Sequence, residues 1–141
     1  MIVLPIYLLG FMPWLIGFLT LAMTAGFILS IVFQLAHTVE HTAFPTPEEN
    51  NKIENEWAIH QLETTANFAT KNRWISWYVG GLNFQIEHHL FPKISHVHYP
   101  AISKIIKKTC EEFNVKYIEY KKMRHAIVSH VLYLKKMGTA V

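Results

Sequence analysis

A single cysteine, Cys110, stands in the 141 residues, so no disulfide can close within the chain, which suits a reducing compartment. Charge is scarce as well: Asp, Glu, Lys and Arg make up 16% of the residues while 51% are hydrophobic, an unusual balance for a soluble protein. The scarcity is concentrated, because no charged side chain occurs between Met1 and Ala36. That stretch also lacks a basic start and a small-residue cleavage site ahead of polar sequence, which argues against a cleaved signal peptide. Internal repeats and low-complexity segments are absent, so repeat architectures are excluded and the length allows one domain at most.

What is present first is the uncharged run itself. As a helix at roughly 1.5 Å per residue it would extend about 54 Å, against a hydrocarbon core of about 30 Å, more than one span requires. Pro5, Gly10 and Pro13 interrupt its start. The pattern predicts the end of one transmembrane helix up to about Gly10, then a full span from Trp14 to Ala36 with Pro13 in its first turn and Trp14 at the interface. A polar connector over 46–52 reads as an exposed loop. The aromatic stretch 74–82 suits a segment lying in the membrane interface, and Gly80-Gly81 allows a sharp turn or a close backbone approach.

Beyond Pro92 the pattern turns helical and basic. Ile102, Ile105, Ile106, Thr109 and Phe113 recur at helical spacing, with Asn114 ending the repeat. Residues 115–120 alternate weakly and suit a short strand. A last helix from Met123 to Met137 is expected to turn Met123, Ile127, Val131 and Leu134 inward and to stop at Gly138. The expected fold is an all-α membrane protein: one full transmembrane helix plus part of a preceding one in 1–36, then an interfacial segment and a cytosolic helical cap in 37–141. The basic residues from Lys93 to Lys136 are opposed only by Glu111, Glu112 and Glu119, which places the C-terminus in the cytoplasm by the positive-inside rule. Their interleaving with glutamates and apolar positions, without any recognition motif, argues against nucleic acid as a partner.

The chemistry sits in nine histidines. Residues 83–92 read N-F-Q-I-E-H-H-L-F-P, and on a helix Gln85, His88 and His89 share one face at i, i+3 and i+4. Neutral imidazole is a common transition-metal ligand and a Gln oxygen can fill a weak position; a bare histidine pair is also met as half-buried interfacial side chains. A second group, Gln34-Leu35-Ala36-His37-Thr38-Val39-Glu40-His41, puts His37 and His41 one helical turn apart. Its H-x-x-E-H string satisfies a zinc-protease pattern in which Glu40 would be general base and Glu111 or Glu112 a third ligand. His60, His96, His98, His125 and His130 carry no motif, and the last two read as surface groups.

The string Q-I-E-H-H-L-F-P resembles the third histidine box of the membrane fatty-acid desaturases, in the front-end branch where glutamine replaces the first histidine of H-x-x-H-H. Gln34 and His37 match the Q-x-x-H of the same family, on the span before that box, whereas His41 lies off the motif. The likeness extends to Trp57 with Gln61-Leu62, Thr65 to Asn67, Trp77 with Gly81-Leu82-Asn83, and the tail from Val115-Lys116-Tyr117 to Lys135-Lys136. It departs at Ser95-His96-Val97-His98, where many members have Pro-Arg-His.

The resemblance implies an O2-dependent enzyme that uses two iron ions to insert a cis double bond into a fatty acyl-CoA or acyl-lipid, in a bacterial inner membrane. It implies His37, His88, His89 and Gln85 as metal ligands, with His41 a further candidate. Glu87 and Asn83 are expected to accept the other ring N–H of the ligating histidines. A b-type cytochrome or a ferredoxin would supply electrons, docking on the basic cap. Two further boxes of that family, H-x-x-x-H and H-x-x-H-H, do not occur, so the chain reads as the C-terminal part of a desaturase, inactive without the rest. A membrane zinc protease and a non-catalytic membrane protein are the competing expectations.

Overall fold

The structure, a computed structural model, describes residues 2–43 and 57–139; the connector expected over 46–52 lies outside them. The chain forms two compact units, Met1–Ile31 and Val32–Val141.

The first unit holds helix α1 (Val3–Leu9) and most of helix α2 (Phe11–His37). Gly10 parts them: its φ of +84° is open to glycine, and its N–H closes α1 on the Ile6 carbonyl at 2.8 Å. Pro13 falls in the first turn of α2, where its missing N–H costs no helical bond. The 27 residues of α2 extend about 40 Å, long and apolar enough to cross a membrane, and the expected span from Trp14 to Ala36 lies within it. Phe18, Leu21, Met23 and Phe27 all face outward along its length. The seven residues of α1 extend only about 10 Å and cannot cross by themselves.

The second unit starts with the last turns of α2, where Val32, Leu35 and Ala36 are buried. It continues through α3 (Trp57–Thr64), β1 (Asn67–Phe68), α4 (Arg73–Tyr78), α5 (Gln85–Leu90), a 3-10 turn (His96–His98), α6 (Tyr99–Glu112), β2 (Glu119–Tyr120) and α7 (Met123–Thr139). The fold is mainly helical, with one departure from the all-α expectation. β1 and β2 pair in parallel, Asn67 beside Glu119 and Phe68 beside Tyr120, joined by Asn67 N–H to Ile118 O at 2.9 Å and Ala69 N–H to Tyr120 O at 2.8 Å. The strand expected within 115–120 is thus its last two residues.

Side-chain packing explains the layout. Leu62, Ile86, Ile106 and Cys110 form a core between α3, α5 and α6, and Val39, Ala66 and Ile118 form a second one beside the ladder. Burial, with Glu87 nearby, pushes the Cys110 thiol up, which keeps it unreactive. Asn114, at φ 53°, ends α6 in the left-handed conformation that asparagine tolerates.

Two expected faces are corrected. On α6, Ser103, Ile106 and Cys110 are buried while Ile105 and Phe113 are exposed. On α7 the inward residues are Ala126 and Ser129, whereas Ile127, Val131 and Leu134 point outward. The small face is selected by close approach: the Ser129 hydroxyl accepts from Glu40 N–H at 3.1 Å and meets the Tyr120 hydroxyl at 2.8 Å. His130 is likewise no free surface group, because its Nδ1 contacts the Thr38 carbonyl at 2.7 Å.

Gly81 is the tightest point of the fold. Its φ is +78°, and a Cβ there would lie 2.6 Å from His96 Cβ. Gly81→Ala combines a left-handed alanine with overpacking, and is expected to destabilise the second unit by about 2–5 kcal/mol. Gly80→Ala, with φ +60° but nothing within 4 Å of the added carbon, should cost only the backbone part. Thermal unfolding of the purified variants checks the order, and equal costs would remove the close approach as the reason for Gly81.

Candidate metal centre

The end of α2 sets the first side chain. Thr38 N–H makes the last helical bond, to Gln34 O at 2.8 Å, after which the chain turns away. Three carbonyls left over at this end are taken: Ala36 O by Ala66 N–H at 2.8 Å, His37 O by the Thr42 hydroxyl at 2.9 Å, and Thr38 O by His130. The helix therefore stops at His37, and His37 and His41 are not one helical turn apart. The His41 ring instead stacks on Tyr120 with centroids 6.3 Å apart, and both His41 and Glu40 are exposed. The i, i+4 helical pairing that the H-x-x-E-H pattern presupposes is not formed.

His37 meets the box instead. Its ring lies edge-on to His89 with centroids 5.0 Å apart, and His89 lies edge-on to His88 at 6.0 Å. Helix α5 begins at Gln85 and ends at Leu90, where Phe91 and Pro92 stop it, so Gln85, His88 and His89 share a face as the spacing predicts.

Each of the three rings is held at Nδ1. His89 Nδ1–H donates to Gln61 Oε1 at 2.7 Å, and His37 Nδ1 faces the Thr64 carbonyl at 3.4 Å. His88 Nδ1 contacts the Tyr99 hydroxyl at 3.2 Å, where either group can donate. The tautomer fixed at His89 leaves its Nε2 with a free lone pair. Burial, aided by the adjacent His37 and His88, pushes the His89 ring down to about 4, so it is neutral at physiological pH.

Gln85 is fully buried, yet neither atom of its amide has a partner. A buried amide without a hydrogen bond is costly, and a ligand taking its oxygen removes that cost. Rings held at one nitrogen and an orphaned amide fit a metal bound through Nε2 and Oε1. Among the described residues, however, no three His, Cys, Asp or Glu side chains come close enough to hold a metal ion on their own.

The expected acceptors bond elsewhere. Glu87, fully buried, takes Asn67 Nδ2 at 2.6 Å on one oxygen and the Tyr117 hydroxyl at 2.7 Å on the other. Asn67 Oδ1 in turn receives Ile86 N–H at 2.9 Å, and Ser103 reaches the Tyr117 hydroxyl at 3.0 Å. This network ties α5 to β1 and α6 from beneath. Asn83 Nδ2 bonds Ser76 Oγ at 3.0 Å. Gln34, His96, His98 and His125 are exposed, while His60 Nδ1 is buried without a partner. Gln61 and Tyr99 are the residues that motif reading missed. Gln61 lay within a matching string, but nothing in its spacing pairs it with a histidine 28 positions on.

The family profile for fatty acid desaturase matches residues 1–121, and the chain belongs to that family. An sn-1 linoleoyl-lipid 6-desaturase of Synechocystis is 49% identical over 127 residues, covering 89% of this chain and 35% of the relative. An acyl-lipid (8-3)-desaturase of Physcomitrium patens is 48% identical over 113 residues, 80% of this chain and 23% of the relative. The enzyme of the same name from Mortierella alpina is 36% identical over 137 residues, 97% and 31%. The chain spans about a quarter to a third of the length of these relatives. No solved structure is significantly similar to it.

Proposed function

We propose that the complete protein is an O2-dependent desaturase that places a cis double bond in a fatty acyl chain carried by a membrane lipid. In this reading His37, His88, His89 and Gln85 are the contribution of this chain to a pair of irons. The observation that carries it is the set of three imidazoles anchored at Nδ1 beside a buried amide with no partner. Two irons, when bound, would supply O2 activation and removal of hydrogen from an unactivated methylene.

The residues of the chain do the rest. Gln61 and the Thr64 carbonyl hold two rings with Nε2 free, Tyr99 orients the third, and the Leu62–Ile86 core keeps water from beneath α5. Because no complete cluster forms here, the remaining ligands would come from the part of the protein outside these residues, and the 141 residues alone would be inactive. The names of the relatives favour a lipid-linked acyl chain over a CoA ester. The lysine-rich tail supports a cytoplasmic C-terminus and an acidic electron donor, a b-type cytochrome or a ferredoxin, in a bacterial inner membrane.

The test joins this chain to the upstream two-thirds of the Synechocystis relative and expresses it in cells whose lipids are analysed. Iron near two per chain together with a new double bond is the expected result. Zinc near one per chain, or no metal with lipids unchanged, would overturn the reading.

A further inference from the structure

A groove on the second unit draws its walls from two distant stretches of the chain. Lys71, Arg73 and Trp74 come from the start of α4, and Lys121, Lys122 and Arg124 from the step between β2 and α7. The parallel ladder brings these stretches together, since the chain leaves β1 and β2 in the same direction from paired residues. All five cations are exposed, no acidic residue lines the groove, and none of the five is in an ion pair among the described residues. Glu119, one step back along β2, is engaged by Lys107 Nζ at 2.7 Å and by the Thr70 hydroxyl, and of the five cations it attracts Lys71 without pairing with it. Five like charges in one groove repel one another and favour an anion between them.

A second observation names the anion. Arg73, Trp74 and Trp77 line an adjoining hollow, and Trp74 and Trp77 are 81% and 77% exposed. Indoles beside unpaired lysines and arginines are the chemistry of a membrane surface, where tryptophan sits at headgroup level and cations meet phosphates. A soluble acidic donor that docks and leaves would return both indoles to water in each cycle, whereas lipid covers them permanently. The membrane-capable α2 keeps the chain next to such a surface.

We infer that this groove binds the phosphate of an anionic membrane lipid, with Trp74 and Trp77 set into the headgroup layer. The site uses none of the histidines and stands whether or not the chain holds iron.

The test titrates the purified chain, in neutral detergent, with phosphatidylglycerol and with phosphatidylcholine, and reads binding by native mass spectrometry. Phosphatidylglycerol should bind about tenfold tighter or more, and added salt should weaken it. The triple variant Lys121→Gln, Lys122→Gln, Arg124→Gln should lose about tenfold in affinity and most of the salt dependence. The equally discharged Lys104→Gln, Lys108→Gln, Lys116→Gln should bind as the parent does. Lys121→Arg with Lys122→Arg, which keeps the charge, should retain binding and shows that side-chain exchange here does not unfold the chain. Equal affinity for the two lipids, equal loss in both triple variants, or displacement by inorganic phosphate at the lipid's own affinity would overturn the proposal. So would a plant-type ferredoxin whose binding falls in the first triple variant while that of phosphatidylglycerol does not.

Discussion

Alanine at His37, His88 or His89 in the complete enzyme is expected to abolish double-bond formation, while Glu40→Gln and His41→Ala leave it nearly unchanged. The division follows from the geometry. His37 and His88 each lie edge-on to His89 and all three rings are anchored, whereas Glu40 and His41 lie past the end of α2 and are exposed. In the proposed arrangement a lost ligand would leave an open, misshapen site. Gln61→Ala should behave differently from all of these. It touches no metal in the proposed arrangement but fixes which nitrogen of His89 is free, so it should lower iron retention by about 10–100-fold. Gln61→Glu, which still offers an acceptor to Nδ1–H, should recover much of that. Desaturation from lipid analysis and iron from elemental analysis, read side by side, check the set. An active His37→Ala beside a dead Glu40→Gln would return the motif to the protease reading.

Glu87→Ala is expected to unfold the second unit rather than to empty a metal site. The side chain is fully buried and both of its oxygens accept a donor, so its removal leaves Asn67 Nδ2 with Tyr117 alone and the Tyr117 hydroxyl with Asn67 and Ser103, and opens a void under α5. Burial, with Glu87 beside it, pushes the Tyr117 phenol well above its usual range, so Tyr117 remains a donor. Each lost hydrogen bond to the buried carboxylate costs about 1.5–3 kcal/mol, and the void adds to them. A loss of about 3 kcal/mol or more, seen as a melting temperature lower by roughly 10 °C, is the expected outcome. Tyr117→Phe should fall between the parent and Glu87→Ala. A Glu87→Ala protein that melts with the parent yet fails to retain iron would instead give Glu87 the role of orienting a histidine.

The sequence carried more of the chemistry than of its support. The uncharged run became α1 and α2, parted at Gly10, with α2 long and apolar enough to cross a membrane, and the box became a helix that Phe91-Pro92 stops at the expected place. Helical spacing could show that α7 has an apolar stripe but not what the stripe faces. The inward side was decided by Ser129 and Ala126, small enough for Glu40 and Tyr120 to come close. The same limit hid the acceptor of His89. Proximity in sequence favoured Glu87 and Asn83, while the fold delivered Gln61 from another helix. Several matched residues with no chemistry of their own, Asn67, Gly81 and Tyr117, proved to be the framework under α5.

The two-residue ladder has a consequence for the birth of the protein. During synthesis the histidine pair emerges from the ribosome about thirty residues before the strand that completes its support, by the spacing of His88 and His89 from Glu119 and Tyr120. Until Tyr117 and β2 arrive, α5 is held by Asn67, Gln61 and Tyr99, one oxygen of Glu87 lacks its donor, and β1 has no strand to pair with. A nascent chain halted between the box and Tyr120 would thus carry every proposed ligand on a helix braced only in part.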